Sequence, residues 1–328
     1  MKALDSKRLN IAILGLGNIG TGTYQALDMN GGHIKETTGL DIAVKKIFEK
    51  DVERERGITV DKGLFTQSEE DVFGDPDIDI VVELIGGVDF ATSLMLKAMK
   101  AGKHVVTANK AALAANFEEL TQTAEDCGVM LRYEASVGGG IPIIAPLTTS
   151  LLANRYDEIM GILNGTTNYI LTKMAVNGSD YADVLREAQE KGFAEADPTA
   201  DVEGEDVANK LSILMSLAFG KRVLPGDIPT KGITEITKQD MDDAEKEGCV
   251  IKLVASAFRQ ADGEVSCFIQ PTLLNREHPL AGVGNEYNAI YVKGNAVDDL
   301  MFYGKGAGPL PTASAVLGDV IEIGKAVK

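Results

Sequence analysis

Residues 9–20 read Leu-Asn-Ile-Ala-Ile-Leu-Gly-Leu-Gly-Asn-Ile-Gly, and this stretch decides the fold. Residues 9–14 form a short apolar strand that runs directly into Gly15, Gly17 and Gly20, with the helical pattern TGTYQALDM after it. Strand, G-x-G-x-x-G and helix in that order are the context a dinucleotide fingerprint requires. Gly15 permits the tight turn, Gly17 lets the backbone approach a pyrophosphate, and Gly20 lets helix and strand pack closely. Asn18 and Ile19 then open a helix whose N–H groups face the phosphates.

Working outward, the second strand is expected over residues 40–48 (LDIAVKKIF), with MNGGHIKETTG as a lengthened connection before it. An acidic residue at its end favours the ribose hydroxyls of NAD, and a basic one the 2′-phosphate of NADP. Glu49 is followed by Lys50, Arg54 and Arg56, so both answers stay open. Residues 79–84 (DIVVEL) are a buried strand ending at Ile85-Gly86-Gly87. A helix over 90–101, a strand over 104–107 and Ala108-Asn109-Lys110 continue the pattern. Strands alternating with helices give a doubly wound parallel sheet of Rossmann type. Ligands sit beyond the C-terminal strand ends, which makes Ile85, Thr107 and Lys110 candidates for the nicotinamide side. A further strand, 129–134 (VMLRYE), leads to the glycines 138–140. These read either as a hinge between domains or, with Glu134, as an oxygen-only cation site.

Beyond residue 143 the rhythm changes. A helix (IIAPLTTSLL) and a strand (YDEIMGIL) precede NGTTNY, where hydroxyl and amide groups gather at a helix start suited to capping and to catching a small carboxylate. The segments CVIKLVASAF, EVSCFIQPTLL and NAIYVKG alternate apolar and polar residues, as in a mostly antiparallel sheet with one face covered by helices. Near the end, glycine-rich residues 304–309 open a last helix that is expected to return to the nucleotide domain. The expected division is therefore 1–140 with 305–328 as the dinucleotide-binding domain, and 141–304 as an α+β substrate and dimerisation domain.

Residues 192–210 (GFAEADPTADVEGEDVANK) pack six carboxylates, Glu195, Asp197, Asp201, Glu203, Glu205 and Asp206, ahead of Lys210. The apolar run that follows marks a helix with one buried face. Asp206 and Lys210 stand four apart, on one face and beside Val207 and Leu211, so they are expected on the rim of the core. Taken alone, the stretch also fits a solvated acidic helix start.

Composition narrows the function classes. The 328 residues carry a net charge of −17 with no Lys/Arg-rich block, which argues against nucleic acid and anionic membranes as partners. Three scattered cysteines and three isolated histidines argue for a reduced, cytoplasmic protein without a zinc site or a histidine triad. The apolar stretches are too short to span a bilayer.

With GLGNIG, VTANKAAL, YEASVGGGIPI, GILNGTTNYI, GFAEADPTADVEGEDVANKL and GAGPLPTASAVLGD in that order, the chain resembles the homoserine dehydrogenase family over essentially its whole length. The resemblance implies reversible oxidation of L-homoserine to L-aspartate 4-semialdehyde with NAD or NADP, in the biosynthesis of threonine, methionine and isoleucine. It implies that Lys210 is the proton donor and acceptor, with Asp206 binding substrate and Glu195 at the substrate's polar end. Lys110 is implied to face nicotinamide and substrate, with Thr166 and Gly192 also lining the substrate. Cofactor contacts are implied at Gly15, Gly17, Asn18, Ile19, Gly20, Lys50, Ile85, Thr107, Lys110 and Gly308. Glu134, Val137, Gly139 and Ile141 are implied to hold a structural sodium or similar monovalent ion. A homodimer is expected. Many family members append a regulatory domain after the final helix; this sequence reads as the short form. The rival readings are another NAD(P)-dependent oxidoreductase of similar layout and a non-catalytic dinucleotide sensor.

Overall fold

A computed structural model describes residues 6–327, which cluster into two compact units, one running to Gly140 and resuming at Gly308, the other Ile141–Ala307.

In the first unit the chain runs β1 (Lys7–Leu14), α1 (Asn18–Thr38), β2 (Leu40–Phe48), β3 (Phe65–Thr66), α2 (Glu70–Phe73), β4 (Ile80–Glu83), α3 (Asp89–Lys100), β5 (His104–Thr107), α4 (Lys110–Cys127) and β6 (Leu131–Arg132). The strands pair in parallel in the order β3-β2-β1-β4-β5-β6, so the sheet winds outward both ways from β1 and β4. That is the doubly wound order, with its switch point at the C-terminal ends of β1 and β4. Helices cover both faces of such a sheet, which is why Ile11, Ala12, Ile13 and Ile80, Val81, Val82 are all fully buried and the strands read as apolar runs.

Two local expectations give way here. MNGGHIKETT is not a connection: α1 continues through it to a left-handed cap at Gly39. Gly31 and Gly32 each cost helix stability of about 1 kcal/mol relative to Ala. Leu27 and Ile34, buried in the sheet's core, hold the helix regular across them. The strand expected over 129–134 shortens to two residues, and Glu134–Ser136 form a 3₁₀ turn instead.

In the second unit α5 (Ile144–Thr148), β7 (Tyr156–Ile162), α6 (Gly165–Asn177), α7 (Tyr181–Glu190), α8 (Thr199–Val202), α9 (Glu205–Phe219) and α10 (Lys238–Lys246) precede β8 (Cys249–Arg259), β9 (Val265–Asn275), β10 (Tyr287–Gly294) and β11 (Asp298–Lys305). All pairings in the order β11-β10-β7-β8-β9 are antiparallel. Strand β8, between β7 and β9, is buried on both faces from Ile251 to Ala257, not one, and β11 is a further strand beyond the three expected segments. Gly304 and Lys305 belong to it, and the last helix, α11 (Pro309–Ala326), starts at the end of the glycine-rich run.

Helix α11 belongs to the first unit. Its Ala313, Val316, Val320 and Ile323 share a core with Leu9, Ile11 and Ile13. Two glycines let it approach: a Cβ at Gly22 would lie 2.6 Å from the Pro309 carbonyl oxygen, and one at Gly324 would lie 2.8 Å from the Leu40 side chain.

Candidate active site

The nucleotide half of the chemistry is built around the start of α1. Gly15 has φ 89°, a left-handed conformation open to glycine, and a Cβ there would lie 2.9 Å from Ile85. A Cβ at Gly20 would lie 2.1 Å from the Gly15 carbonyl oxygen, so Gly20 closes the turn itself as well as letting helix and strand meet. Gly17 is different: nothing lies within 4 Å of where its Cβ would be. No side chain caps α1 and no acid sits in its first turn, so its N–H groups are available to an anion. A cleft of about 300 Å³ lined by Gly17, Asn18, Thr21, Arg54 and Pro309 lies on one side. A second, of about 260 Å³, is lined by Gly15, Glu49, Lys50, Arg54, Ile85 and Phe90. An open glycine at an uncapped helix end between two such clefts fits a dinucleotide's pyrophosphate.

At the end of β2, Glu49 accepts hydrogen bonds from the Leu16 amide at 2.7 Å and the Asp51 amide at 3.1 Å, and Arg56 lies 3.5 Å away. Burial pushes the Glu49 carboxyl up, but these amides and the Arg56 charge outweigh it and hold it below the usual range. The Arg56 side chain is itself buried, donating to the carbonyls of Leu16, Arg54 and Asp51. Lys50 instead sits over the Phe90 ring, 5.4 Å from its centroid, and lines the second cleft with Arg54.

At the ends of β4 and β5, Thr107 is fully buried and donates to Glu83 at 2.7 Å. Asn109 caps α4 by accepting from the Ala112 amide, and its side chain donates to the Gly87 carbonyl. Lys110 is therefore the first residue of α4, half-buried. A lysine at the positive end of a helix runs against the dipole. Gly308 caps α11 with φ 117°, beside the Pro309 that lines the first cleft.

Glu134 is buried, and its backbone amide donates to the Asp319 carboxylate at 2.8 Å. Burial, reinforced by the Glu134 charge, pushes Asp319 well above the usual carboxylate range. Val137 and Ile141 are buried too, and Gly138 and Gly139 adopt positive φ, as a tight carbonyl-turning loop needs. Among the described residues no cluster of three or more His, Cys, Asp or Glu offers a metal site, so any cation here relies on backbone oxygens.

The second unit carries the carboxylate–lysine pair. The acidic segment splits into α8 and α9 around Gly204, which has φ 90°. Asp206 and Lys210 lie in α9 with side chains only 11 % and 10 % exposed, on the rim as their spacing requires. Lys210 Nζ donates to Asp206 Oδ2 at 2.6 Å and to the Leu163 carbonyl at 2.6 Å. Asn164, the cap of α6, ties the cluster together by donating to Asp206 at 2.9 Å and to Asp201 at 2.7 Å. Thr166 donates to Asp201 at 3.0 Å and to the Phe193 carbonyl at 2.7 Å. So Lys210, Asp206 and Thr166 are brought together. Exposed Glu195 and Gly192, on the turn after α7, stay outside this hydrogen-bonded cluster. Asn164, Asp201 and the Leu163 carbonyl are members the sequence reading did not single out, although NGTTNY and the acidic run contain the first two.

A doubly wound sheet with an open fingerprint, joined in one chain to a buried carboxylate–lysine pair, defines a nicotinamide-dependent oxidoreductase. Residues 142–321 match the family model described as homoserine dehydrogenase, and residues 15–134 match the homoserine dehydrogenase NAD binding domain. Homoserine dehydrogenases of Bacillus subtilis and Corynebacterium glutamicum are 43 % and 45 % identical, over 97 % and 95 % of this chain and 73 % and 71 % of theirs. The crystal structure of a homoserine dehydrogenase from Thiobacillus denitrificans superposes with a TM-score of 0.94 at 42 % identity, over 99 % of this chain and 75 % of that one. A hyperthermophilic archaeal homoserine dehydrogenase in complex with NADPH gives 0.81 at 26 % identity, over 97 % and 98 %. The chain belongs to the homoserine dehydrogenase family and is an NAD(P)-dependent oxidoreductase acting on a CH–OH group.

Proposed function

We propose that Lys210 is the proton donor and acceptor of this reaction, that Asp206 orients it, and that NADP is preferred over NAD. The observation that carries the first part is the seating of Lys210: a buried ammonium whose donors are aimed by one carboxylate and one carbonyl. Reducing the aldehyde of L-aspartate 4-semialdehyde takes a hydride at carbon and a proton at oxygen, and the nicotinamide cofactor supplies the hydride when bound. Lys210 stabilises the developing alkoxide and protonates it; in the reverse direction its neutral form takes the hydroxyl proton of L-homoserine. Glu195, Thr166 and Gly192 serve the amino-acid end of the substrate. Lys110, held at a helix start against the dipole, serves substrate and nicotinamide.

The preference for NADP rests on Glu49. Its two oxygens already accept the Leu16 and Asp51 amides, while Lys50 and Arg54 line the neighbouring cleft and suit a 2′-phosphate. Glu134 with the backbone oxygens of Val137, Gly139 and Ile141 holds a structural monovalent cation such as sodium, favoured by the second buried carboxylate at Asp319. A cytoplasmic homodimer working in threonine, methionine and isoleucine biosynthesis completes the reading.

The test is consumption of NADPH and of NADH with L-aspartate 4-semialdehyde. A kcat/KM at least about tenfold higher with NADPH is expected, and replacing both Lys50 and Arg54 by Ala should abolish that advantage. An enzyme equally fast with both cofactors would overturn the preference. Turnover with neither would return the field to the sensor or other-substrate readings.

A further inference from the structure

Glu83 is the last residue of β4 and is fully buried. Its Oε1 accepts from the Ile85 amide at 2.7 Å and the Gly86 amide at 3.4 Å, and its Oε2 from the Thr107 hydroxyl at 2.7 Å. The Thr107 oxygen accepts from the Asn109 amide at 3.0 Å, which leaves the hydroxyl proton for Glu83. Every neighbour donates and none needs a proton from the carboxyl, which is the bonding pattern of a carboxylate. No cation among the described residues pairs with it. Burial holds the Glu83 carboxyl above the usual carboxylate range, and the hydrogen bonds from Thr107, the Ile85 and Gly86 amides and Asn109 oppose that shift and favour the charged form.

A buried, unneutralised charge is costly, so its position calls for a reason. The fingerprint fixes the pyrophosphate at the start of α1, and the ribose-phosphate residues sit at the end of β2, on one side of it. The strand order then puts the nicotinamide side over the ends of β4 and β5. Glu83 lies beneath those ends, hydrogen-bonded into both.

We propose that the Glu83 carboxylate is an electrostatic bias on the cofactor, stabilising the positive nicotinamide ring of the oxidised form over the neutral ring of the reduced form. Hydride carries two electrons and a proton from the ring to the carbonyl carbon, and the ring is left with one positive charge. The carbonyl oxygen takes its proton from the enzyme's acid. An anion fixed beneath the ring therefore favours the direction in which the aldehyde is reduced. Because Glu83 is fully buried it acts through its field, and it is a positioning residue rather than a catalytic one. The inference rests on the reading of the nucleotide cleft given above.

The test is equilibrium binding of NADP⁺ and NADPH to the full chain without substrate. Wild type is compared with the neutral variants Glu83→Gln and Glu83→Met and with the charge-keeping Glu83→Asp. Loss of a purely structural role would weaken both nucleotides by one factor. Loss of the charge should raise the ratio of the NADP⁺ to the NADPH dissociation constant about tenfold in whichever neutral variant folds, equivalent to about 30 mV in the potential of the bound couple. Glu83→Asp should keep the wild-type ratio even where both affinities fall. An unchanged ratio in a folded neutral variant overturns the proposal. Wild-type protein that binds neither nucleotide overturns the cleft reading beneath it.

Discussion

The second unit buries two lysines, and they could hardly be used more differently. Lys210 lies at a helix start rich in carboxylates, with Asp206 2.6 Å from its ammonium. Lys252, in the middle of β8, meets neutral oxygens among the described residues: the Val283 carbonyl at 2.6 Å, Asn168 Oδ1 at 3.0 Å and the Thr172 hydroxyl at 3.4 Å. With no anion to offset it, burial lowers the Lys252 pKa to about 8. A search for catalysts by perturbed titration alone would pick Lys252. The geometry gives it another task. Asn168 also donates to the Val283 and Tyr287 carbonyls, so Lys252 helps pin α6 and β8 to the loop before β10. A shifted lysine pKa marks buried charge and does not by itself mark a catalyst.

The contrast can be broken most forcibly at Lys210. Replacing it by Ala should lower kcat by about 10³-fold or more with little change in KM or melting temperature. Near-normal turnover would remove it from the chemistry. Lys252→Met should do the opposite, leaving kcat within a few-fold but costing about 1–3 kcal/mol in urea unfolding, because the Val283 and Asn168 acceptors lose their donor.

The same variant sharpens the comparison through pH. Below about pH 8 Lys252 is protonated both folded and unfolded, whereas from there to the ordinary lysine value of 10.5 the unfolded chain alone keeps the proton. Folding stability should therefore rise with pH across that window in wild type, by up to about 2–3 kcal/mol from this group, and Lys252→Met should lack that rise. Identical pH profiles for the two proteins would show that the lysine is not buried as described. The smallest effect is expected at Asn164. Its change to Ala should remove a helix cap worth about 1 kcal/mol and lower kcat about tenfold by releasing Asp206. An unaltered kcat would detach Asn164 from the acid–base group.

Much of this was legible in the residue order. Residues 9–20 announce the Rossmann crossover because their glycines have fixed duties, and the Asp206–Lys210 spacing places the pair on one helix face before any coordinate is known. What stayed hidden depends on distant chain. Gly31-Gly32 looks like a break until the core that grips Leu27 and Ile34 is present. Lys252 reads as an outward residue of an alternating strand, since only the tertiary fold reveals that both faces of β8 are buried. Glu83 ends an apolar run and passes for a surface acid at a strand terminus; the four groups that converge on it come from two different strand ends. Asn164 and Asp201 are 37 residues apart and meet only because α6 and α8 do.

The closing helix carries a consequence for biosynthesis. Helix α11 supplies Val316, Val320 and Ile323 to a core whose first members are Leu9 and Ile11. On the ribosome, β1 must wait until α11 has been translated before these apolar partners emerge. The intervening unit, made from one continuous segment, has no such delay. Translation order thus favours the second unit as the first to become stable, with the nucleotide unit left exposed to chaperones and proteases until α11 is released.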